Sequence, residues 1–366
     1  MDGLHGCEGM ANGCIFQGPQ SRLRRSAVPA LALLCLSAPD GQGLRGQDRD
    51  LSPAWRSVFK REVDPPSPPD NPLTPNKVGL GRRLFSDARL SGADRSCASC
   101  HVPARAFSDG RRRPIGLSGR PLPRNTPSLF NLAWSKSYFW DGRAPSLEAQ
   151  VAMPIEAGEE MRGDWPTILR RLSEDADLVE RFRAAFPGEP SPSRATVLKA
   201  LASYVRSLVS PPTRFDAWVK GEGGALSDAE TRGFRLFVGK AACVLCHVGW
   251  RFTDDRFHDI GLRSKDAGRS GVKGGTPGLR AFKTPGLREL TRTGPYMHDG
   301  SLATLGAVVR HYNGDFVARP SLATQLNRGL SLSGRERADL LAFLRALSSP
   351  QDVGAPGAES DKAARR

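Results

Sequence analysis

Cys97-Ala98-Ser99-Cys100-His101 and Cys243-Val244-Leu245-Cys246-His247 decide the reading of this chain. Cys-x-x-Cys-His is the spacing of covalent c-type haem attachment. The two thiols form thioethers to the haem vinyl groups, and the adjacent imidazole reaches the iron as proximal ligand. A redox Cys-x-x-Cys needs no following histidine, and a zinc site needs further ligands at matched spacing. Two copies therefore predict two c-type haems, one on Cys97, Cys100 and His101, the other on Cys243, Cys246 and His247. The chain has seven cysteines, and Cys7, Cys14 and Cys35 all lie upstream of both motifs. The second axial position of each iron then separates an enzyme from a carrier. An open iron reacts, whereas a closed one only passes electrons.

Arg22, Arg24 and Arg25 precede an apolar run from Ala27 to Leu36, and the small residues Ser37 and Ala38 follow. A charged region, a short apolar region and a small-residue zone are the plan of an export signal. Residues 1–49 are therefore expected to be a leader, and the expected compartment is the bacterial periplasm. The apolar run is too short to span a bilayer. Leu34 is bulky where lipidation at Cys35 would favour a small residue, so a lipid anchor is not expected.

The rest of the 366-residue chain suits two domains, expected at 50–222 and 223–350, with a disordered polar tail at 351–366. Net charge is +15. Such an excess keeps a surface solvated, or steers an acidic redox partner. No Lys/Arg stretch is interleaved with aromatics, so nucleic acid is not an expected partner.

Both halves follow one plan. Leu80-Gly81-Arg82-Arg83-Leu84-Phe85 precedes the first motif and Gly233-Phe234-Arg235-Leu236-Phe237 the second. Ser227 and Glu230 form a capping box for the second of these helices, and Ser333 and Glu336 form another. Val197, Leu201, Val205 and Leu208 recur at helical spacing until Pro211 stops the run. Leu340, Phe343, Leu344 and Leu347 do the same before Pro350. A flanking helix, a Cys-x-x-Cys-His and a closing helix outline a small cytochrome c domain. The predicted fold is all-α, with two cytochrome c-like domains, each carrying one c-type haem. The Gly-, Pro- and Arg-rich stretches 103–127 and 261–286 read as loops around the cofactor edges.

Further motifs give the chain a family resemblance. They are Leu84-Phe85-Ser86-Asp87-Ala88-Arg89-Leu90-Ser91, Arg124-Asn125-Thr126-Pro127, Tyr138-Phe139-Trp140-Asp141-Gly142-Arg143-Ala144, Pro154-Ile155-Glu156-Ala157-Gly158-Glu159-Glu160-Met161 and Pro295-Tyr296-Met297-His298-Asp299-Gly300-Ser301. In this order, from about Asn71 to Ser349, they resemble the bacterial di-haem cytochrome c peroxidases and their MauG-type relatives. The resemblance implies that His101 serves the peroxide-reacting haem and His247 the electron-transfer haem. It places Trp140 between the haems as a relay, and Glu160 and Gln150 on the distal side of the first. It also implies a calcium ion held by Asn125 and by the carbonyls of Thr293 and Pro295. Chemistry agrees with part of this. Cleaving an O–O bond needs a proton moved from one oxygen to the other, and a carboxylate beside the iron can move it. Taken alone, Glu160 would read as a solvated charge, Trp140 as core, and Asn125 as a turn residue.

Two departures from the peroxidase pattern favour the MauG-like branch. Leu117 stands where many of these peroxidases place a histidine that caps the first iron at rest, and no histidine lies between His101 and His247. The first iron is therefore expected to be five-coordinate. Tyr312 stands where the peroxidases place a methionine for the second iron. A phenolate should lower that iron's reduction potential. Met297, His298 and His311 are the rival ligands, and His258 is expected to pack or to contact a propionate.

The expected function is a di-haem c-type peroxidase. It reduces hydrogen peroxide at the first haem and oxidises an external periplasmic protein through the second, in the MauG manner. The alternatives are a cytochrome c peroxidase fed by a small cytochrome or copper protein, and a non-catalytic di-haem electron carrier.

Overall fold

Ser52, Thr74, Ser146, Asp164 and Ser193 each accept a backbone N–H at the start of a helix, so polar caps punctuate the first half of the chain. The computed structural model describes residues 51–272, 280–327 and 329–350. The expected leader and tail lie outside the described residues.

The helices in order are α1 (Pro53–Phe59), α2 (Pro75–Phe85), α3 (Leu147–Glu156), α4 (Trp165–Ser173), α5 (Ala176–Ala185) and α6 (Arg194–Ser207). Next come α7 (Arg214–Lys220), α8 (Asp228–Val238), α9 (Leu305–Arg310) and α10 (Gly334–Ala346). Both expected capping boxes are present, Ser227 with Glu230 on α8 and Ser333 with Glu336 on α10. One departure from an all-helical fold is a short antiparallel ladder, β1 (Phe257–His258) with β2 (Phe282–Lys283). Its second strand falls in a stretch read from sequence as loop. No helix among the described residues is long and apolar enough to cross a membrane.

Two aromatic-rich cores hold the fold. In the first, Leu80, Leu84 and Phe85 of α2 meet Val197, Leu201 and Val205 of α6, with Phe107 beside them. In the second, Phe234 and Phe237 of α8 meet Phe343 of α10 and Phe252, with Phe237 and Phe343 centroids 5.2 Å apart. Phe59 of α1 and Phe215 of α7 also join the second core, although both precede residue 223. Each such side chain contributes about 1.5–3 kcal/mol when fully buried.

The same device brings each helix pair together. A Cβ on Gly81 would lie 2.0 Å from the carbonyl oxygen of Ala200, and a Cβ on Gly233 would lie 2.0 Å from that of Asp339. Only glycine permits α2 to close on α6, and α8 on α10, at that distance. This close packing sets the helices that flank each Cys-x-x-Cys-His.

Candidate functional site

Each haem motif folds as one 3₁₀ turn, Cys97–Ser99 and Cys243–Leu245, and each histidine follows directly. The His101 N–H bonds the Cys97 carbonyl at 2.9 Å, and His247 bonds Cys243 in the same way at 2.9 Å. All four cysteines and both histidines line one cavity of about 1100 Å³. No disulfide joins either pair. Burial pushes the Cys97 and Cys243 thiols up to about 12.

The imidazoles are held alike. His101 Nδ1 lies 2.7 Å from the Phe107 carbonyl oxygen, and His247 Nδ1 lies 2.8 Å from that of Phe252. Phe107 and Phe252 adopt φ of +60° and +59°, which turns each carbonyl inward while the ring stays in the core. A carbonyl accepts, so Nδ1 carries the proton and Nε2 keeps its lone pair for a metal. Burial holds both imidazoles below their ordinary range, in the neutral form that iron requires. Paired thiols, neutral imidazoles and a largely apolar wall fit two c-type haems.

The cavity linings of the two halves differ. Gln150, Pro154 and Glu160 line the cavity in the first half, and Tyr312 lines it in the second. Ser146 caps α3 and Thr304 caps α9 by the same bond, Oγ accepting the N–H three residues on. Eight residues past these caps stand Pro154 and Tyr312. The matching places thus hold a side chain without a donor atom in one half and a phenol in the other. Burial raises the Tyr312 phenol, and Cys243 and Cys246 add to that rise, so the hydroxyl lies near the second motif. Burial also raises the half-buried Glu160 carboxyl, while Arg143 pulls it the other way.

Trp140 lines the cavity, and its Nε1 donates to the Asn125 carbonyl at 2.9 Å. Asn125 N–H in turn donates to the His298 carbonyl at 2.7 Å. Tyr138 to Gly142 and Tyr296 to Gly300 repeat one turn, with φ of +66° at Phe139 and +74° at Met297. Trp140 and His298 therefore hold matching places in the two halves, and both meet Asn125. Asn125, Thr293 and Pro295 all line the cavity. The Asn125 Nδ2 donates to the Arg111 and Arg112 carbonyls, which turns the amide oxygen free of those contacts. Oxygen donors of this kind suit calcium.

Other groups named from sequence fall elsewhere. His311 does not line the cavity, and its Nε2 lies 2.8 Å from the Ile260 carbonyl. Adjacent Tyr312 lines the cavity with its ring centroid 5.3 Å from that of His311, edge to face, and the two stand in a π-type turn, His311–Asp315, rather than on α9. His298 lines the cavity, stacked on Phe282 at 3.5 Å with Nε2 3.2 Å from Ser264 Oγ, and burial lowers it to about 4. Met297 also lines the cavity, whereas Leu117 does not. The Leu117 N–H bonds the Glu159 carbonyl at 2.9 Å. His258 Nε2 lies 2.8 Å from Asp254 Oδ2, which, with Cys246 nearby, raises the imidazole to about 10. Cys246, Asp254 and His258 are the one set of such ligands clustered among the described residues, and a haem thioether would claim Cys246.

Sequence reading quoted Pro154 but gave it no role, because its place shows only once residues are counted from the caps of α3 and α9. It also gave no role to Arg124, which bonds Asp266 through Nε and Nη2 at 2.8 and 3.0 Å and reaches Asp141 beside Trp140. A basic residue in a Pro-rich loop carries no signal of its partner.

Known proteins share this architecture. The model of the family described as di-haem cytochrome c peroxidase matches residues 75–224. The methylamine utilization protein MauG of Methylorubrum extorquens is 46% identical over 307 residues, covering 82% of this chain and 86% of that protein. The cytochrome-c peroxidase IdrP1 of Denitromonas iodatirespirans is 36% identical, covering 79% of this chain and 85% of that protein. A crystal structure of a MauG-like protein associated with microbial copper homeostasis is 34% identical with a TM-score of 0.72, covering 79% of this chain and 94% of that one. The motif pair, the shared cavity and these relatives agree, and this haem-containing peroxidase, an oxidoreductase, belongs to the di-haem cytochrome c peroxidase and MauG family.

Proposed function

We propose that the protein reduces hydrogen peroxide at the haem of Cys97, Cys100 and His101, and oxidises an external protein through the haem of Cys243, Cys246 and His247, as MauG-type enzymes do. The supporting observation is the asymmetry between Pro154 and Tyr312, at matching places past the caps of α3 and α9. Each haem, when bound, would supply an iron that holds oxidising equivalents; Tyr312 would offer a phenol oxygen to the second, and Pro154 offers no donor atom to the first. Each of the two cores forms a cytochrome c-like unit around one haem, with domains at 50–222 and 223–350 and with α1 and α7 of the first packed on the second core.

The chain's own residues do the rest. Glu160 takes the proton from one peroxide oxygen and returns it to the other, which leaves as water. Its raised carboxyl makes it an acid as well as a base. Gln150 orients the peroxide by hydrogen bonding. Trp140 passes electrons between the halves, fixed by its bond to Asn125. Asn125 and the carbonyls of Thr293 and Pro295 hold calcium beside it. The protein acts in the periplasm, and its positive charge attracts an acidic partner protein.

Electron paramagnetic resonance of the ferric protein tests this reading. One high-spin and one low-spin signal are expected. Two low-spin signals would instead favour a non-catalytic carrier. Peroxide is expected to react with the diferric protein directly. A requirement for prior half-reduction would favour a cytochrome c peroxidase fed by a small cytochrome or copper protein.

A further inference from the structure

We propose that Trp134 and Trp250 form a second aromatic relay, along which an oxidising equivalent leaves the second haem for the protein surface. The inference rests on the peroxidase reading above.

The two ring centroids lie 4.8 Å apart with planes at 85°, the edge of one indole against the face of the other. Trp250 is 7% exposed and stands between His247 and Phe252, in the loop whose carbonyl holds the His247 imidazole. Trp134 is half-buried and ends the 3₁₀ turn Leu132–Trp134 of the first half. Their neighbours join across the same seam, Arg251 Nη1 donating to Ser135 Oγ at 3.2 Å. Ser135 and Arg251 line the cavity, whereas neither tryptophan does. The pair therefore stands behind the cavity wall, apart from Trp140, and runs from a buried ring in the His247 loop to a ring that reaches solvent.

Charge gives the pair a direction. The Arg288 guanidinium lies 5.9 Å from the Trp250 ring centroid. A cation over an aromatic face opposes removal of an electron from that ring. Asp216 offsets part of this charge through its bond to Arg288. No cation lies over Trp134 among the described residues. An electron vacancy on Trp250 is thus drawn to Trp134.

The electrons balance as follows. Peroxide takes two electrons and two protons and becomes two waters. Trp250 gives one electron to the oxidised second haem and is refilled by Trp134. A one-electron reductant at the surface restores Trp134. With no reductant, Trp134 loses two electrons in turn, adds water, releases two protons and becomes hydroxytryptophan.

Edge-to-face aromatic contact stabilises packing in any protein, so the test reads chemistry rather than stability. The holoprotein is treated with excess peroxide and no electron donor, and its tryptic peptides are weighed. Trp55, also half-buried and in contact with Phe59 and Phe234, is the internal control. Hydroxylation at Trp134 should exceed that at Trp55 several-fold, and Trp250→Phe should lower it several-fold. Equal modification of Trp134 and Trp55, or an unchanged yield in Trp250→Phe, overturns the proposal. Should that variant fail to retain both haems, Trp134→Phe serves instead, at a half-exposed position. It should bleach several-fold faster in excess peroxide, and bleaching at the wild-type rate overturns the proposal. Absence of any peroxide-induced change in the haem spectrum would sink the peroxidase reading itself. A spectral change without Trp134 hydroxylation sinks only this relay.

Discussion

Arg124 and Asp266 form a two-pronged ion pair across the two halves of the chain, at 2.8 and 3.0 Å. The same guanidinium reaches Asp141, whose own carbonyl, with that of Gly142, accepts Arg269 Nη1 at 3.0 and 2.9 Å. The turn that carries Trp140 is therefore tied to the second half directly by Arg269 and, through Arg124, by Asp266. Lys283 N–H adds a third hold at the Trp140 carbonyl, at 2.8 Å. Arg124→Gln removes the shared partner of two partly buried carboxylates, so it should cost about 2 kcal/mol. Thermal unfolding followed by haem absorbance should show a drop of roughly 5 °C. An unchanged midpoint would show that the clamp contributes nothing.

Glu160 should govern the acid side of the pH profile. Burial raises its carboxyl above the ordinary range, with Arg143 opposing. The base form is the carboxylate, so the peroxide rate should fall as pH drops through that raised value. The limb should therefore lie above the range of an ordinary carboxylate. Glu160→Gln should slow the peroxide reaction about 10²–10⁴-fold and erase the limb, with both haems retained. Stopped-flow rates across pH check this. A limb that survives the substitution belongs to another group.

Much of this site was legible in the chain because covalent chemistry demands fixed spacing. Cys97 to His101 and Cys243 to His247 need no tertiary context. The capping boxes at Ser227 and Ser333 were equally local, since Ser and Glu three residues apart satisfy each other's backbone. What escaped was non-local. Phe59 and Phe215 are apolar residues whose side chains say nothing about which core they join. Pro154 and Tyr312 correspond only through the helix caps, since no shared residue type marks the place.

Arg288 and Asp216 test how far a buried charge pair supports the second core. They are 1% and 3% exposed and bond at 2.6 and 2.8 Å. Burial pushes the Asp216 carboxyl up, but the Arg288 charge and the Thr213 hydrogen bonds outweigh it and hold it below its usual range. A depressed carboxyl gives stability that is present above its unfolded pKa, near about 3.9, and lost as pH falls below that value. Asp216→Asn leaves the Arg288 cation buried and should cost about 3–5 kcal/mol at neutral pH. Denaturant titrations should show this cost shrinking below about pH 4. A cost that stays constant in acid would exclude the pair as its source.

The contrast between Pro154 and Tyr312 makes the sharpest test, because it can be run in both directions. Tyr312→Phe removes the phenol oxygen and keeps the ring, so packing is nearly conserved. The low-spin signal of the ferric protein should then change or vanish while the high-spin signal persists. If it stays, Met297 is the next cavity-lining candidate, and Met297→Leu should remove it. The reverse change, Pro154→His, places a nitrogen donor eight residues past the Ser146 cap. It should convert the high-spin signal to low-spin and slow the peroxide reaction, with Glu160 untouched. Lifting the proline also restores an N–H within α3, so the helix should not lose stability through that change. A high-spin signal that survives Pro154→His, in a protein with both haems attached, would mean that this position does not face the iron. The matching of the two halves by their caps would then be wrong.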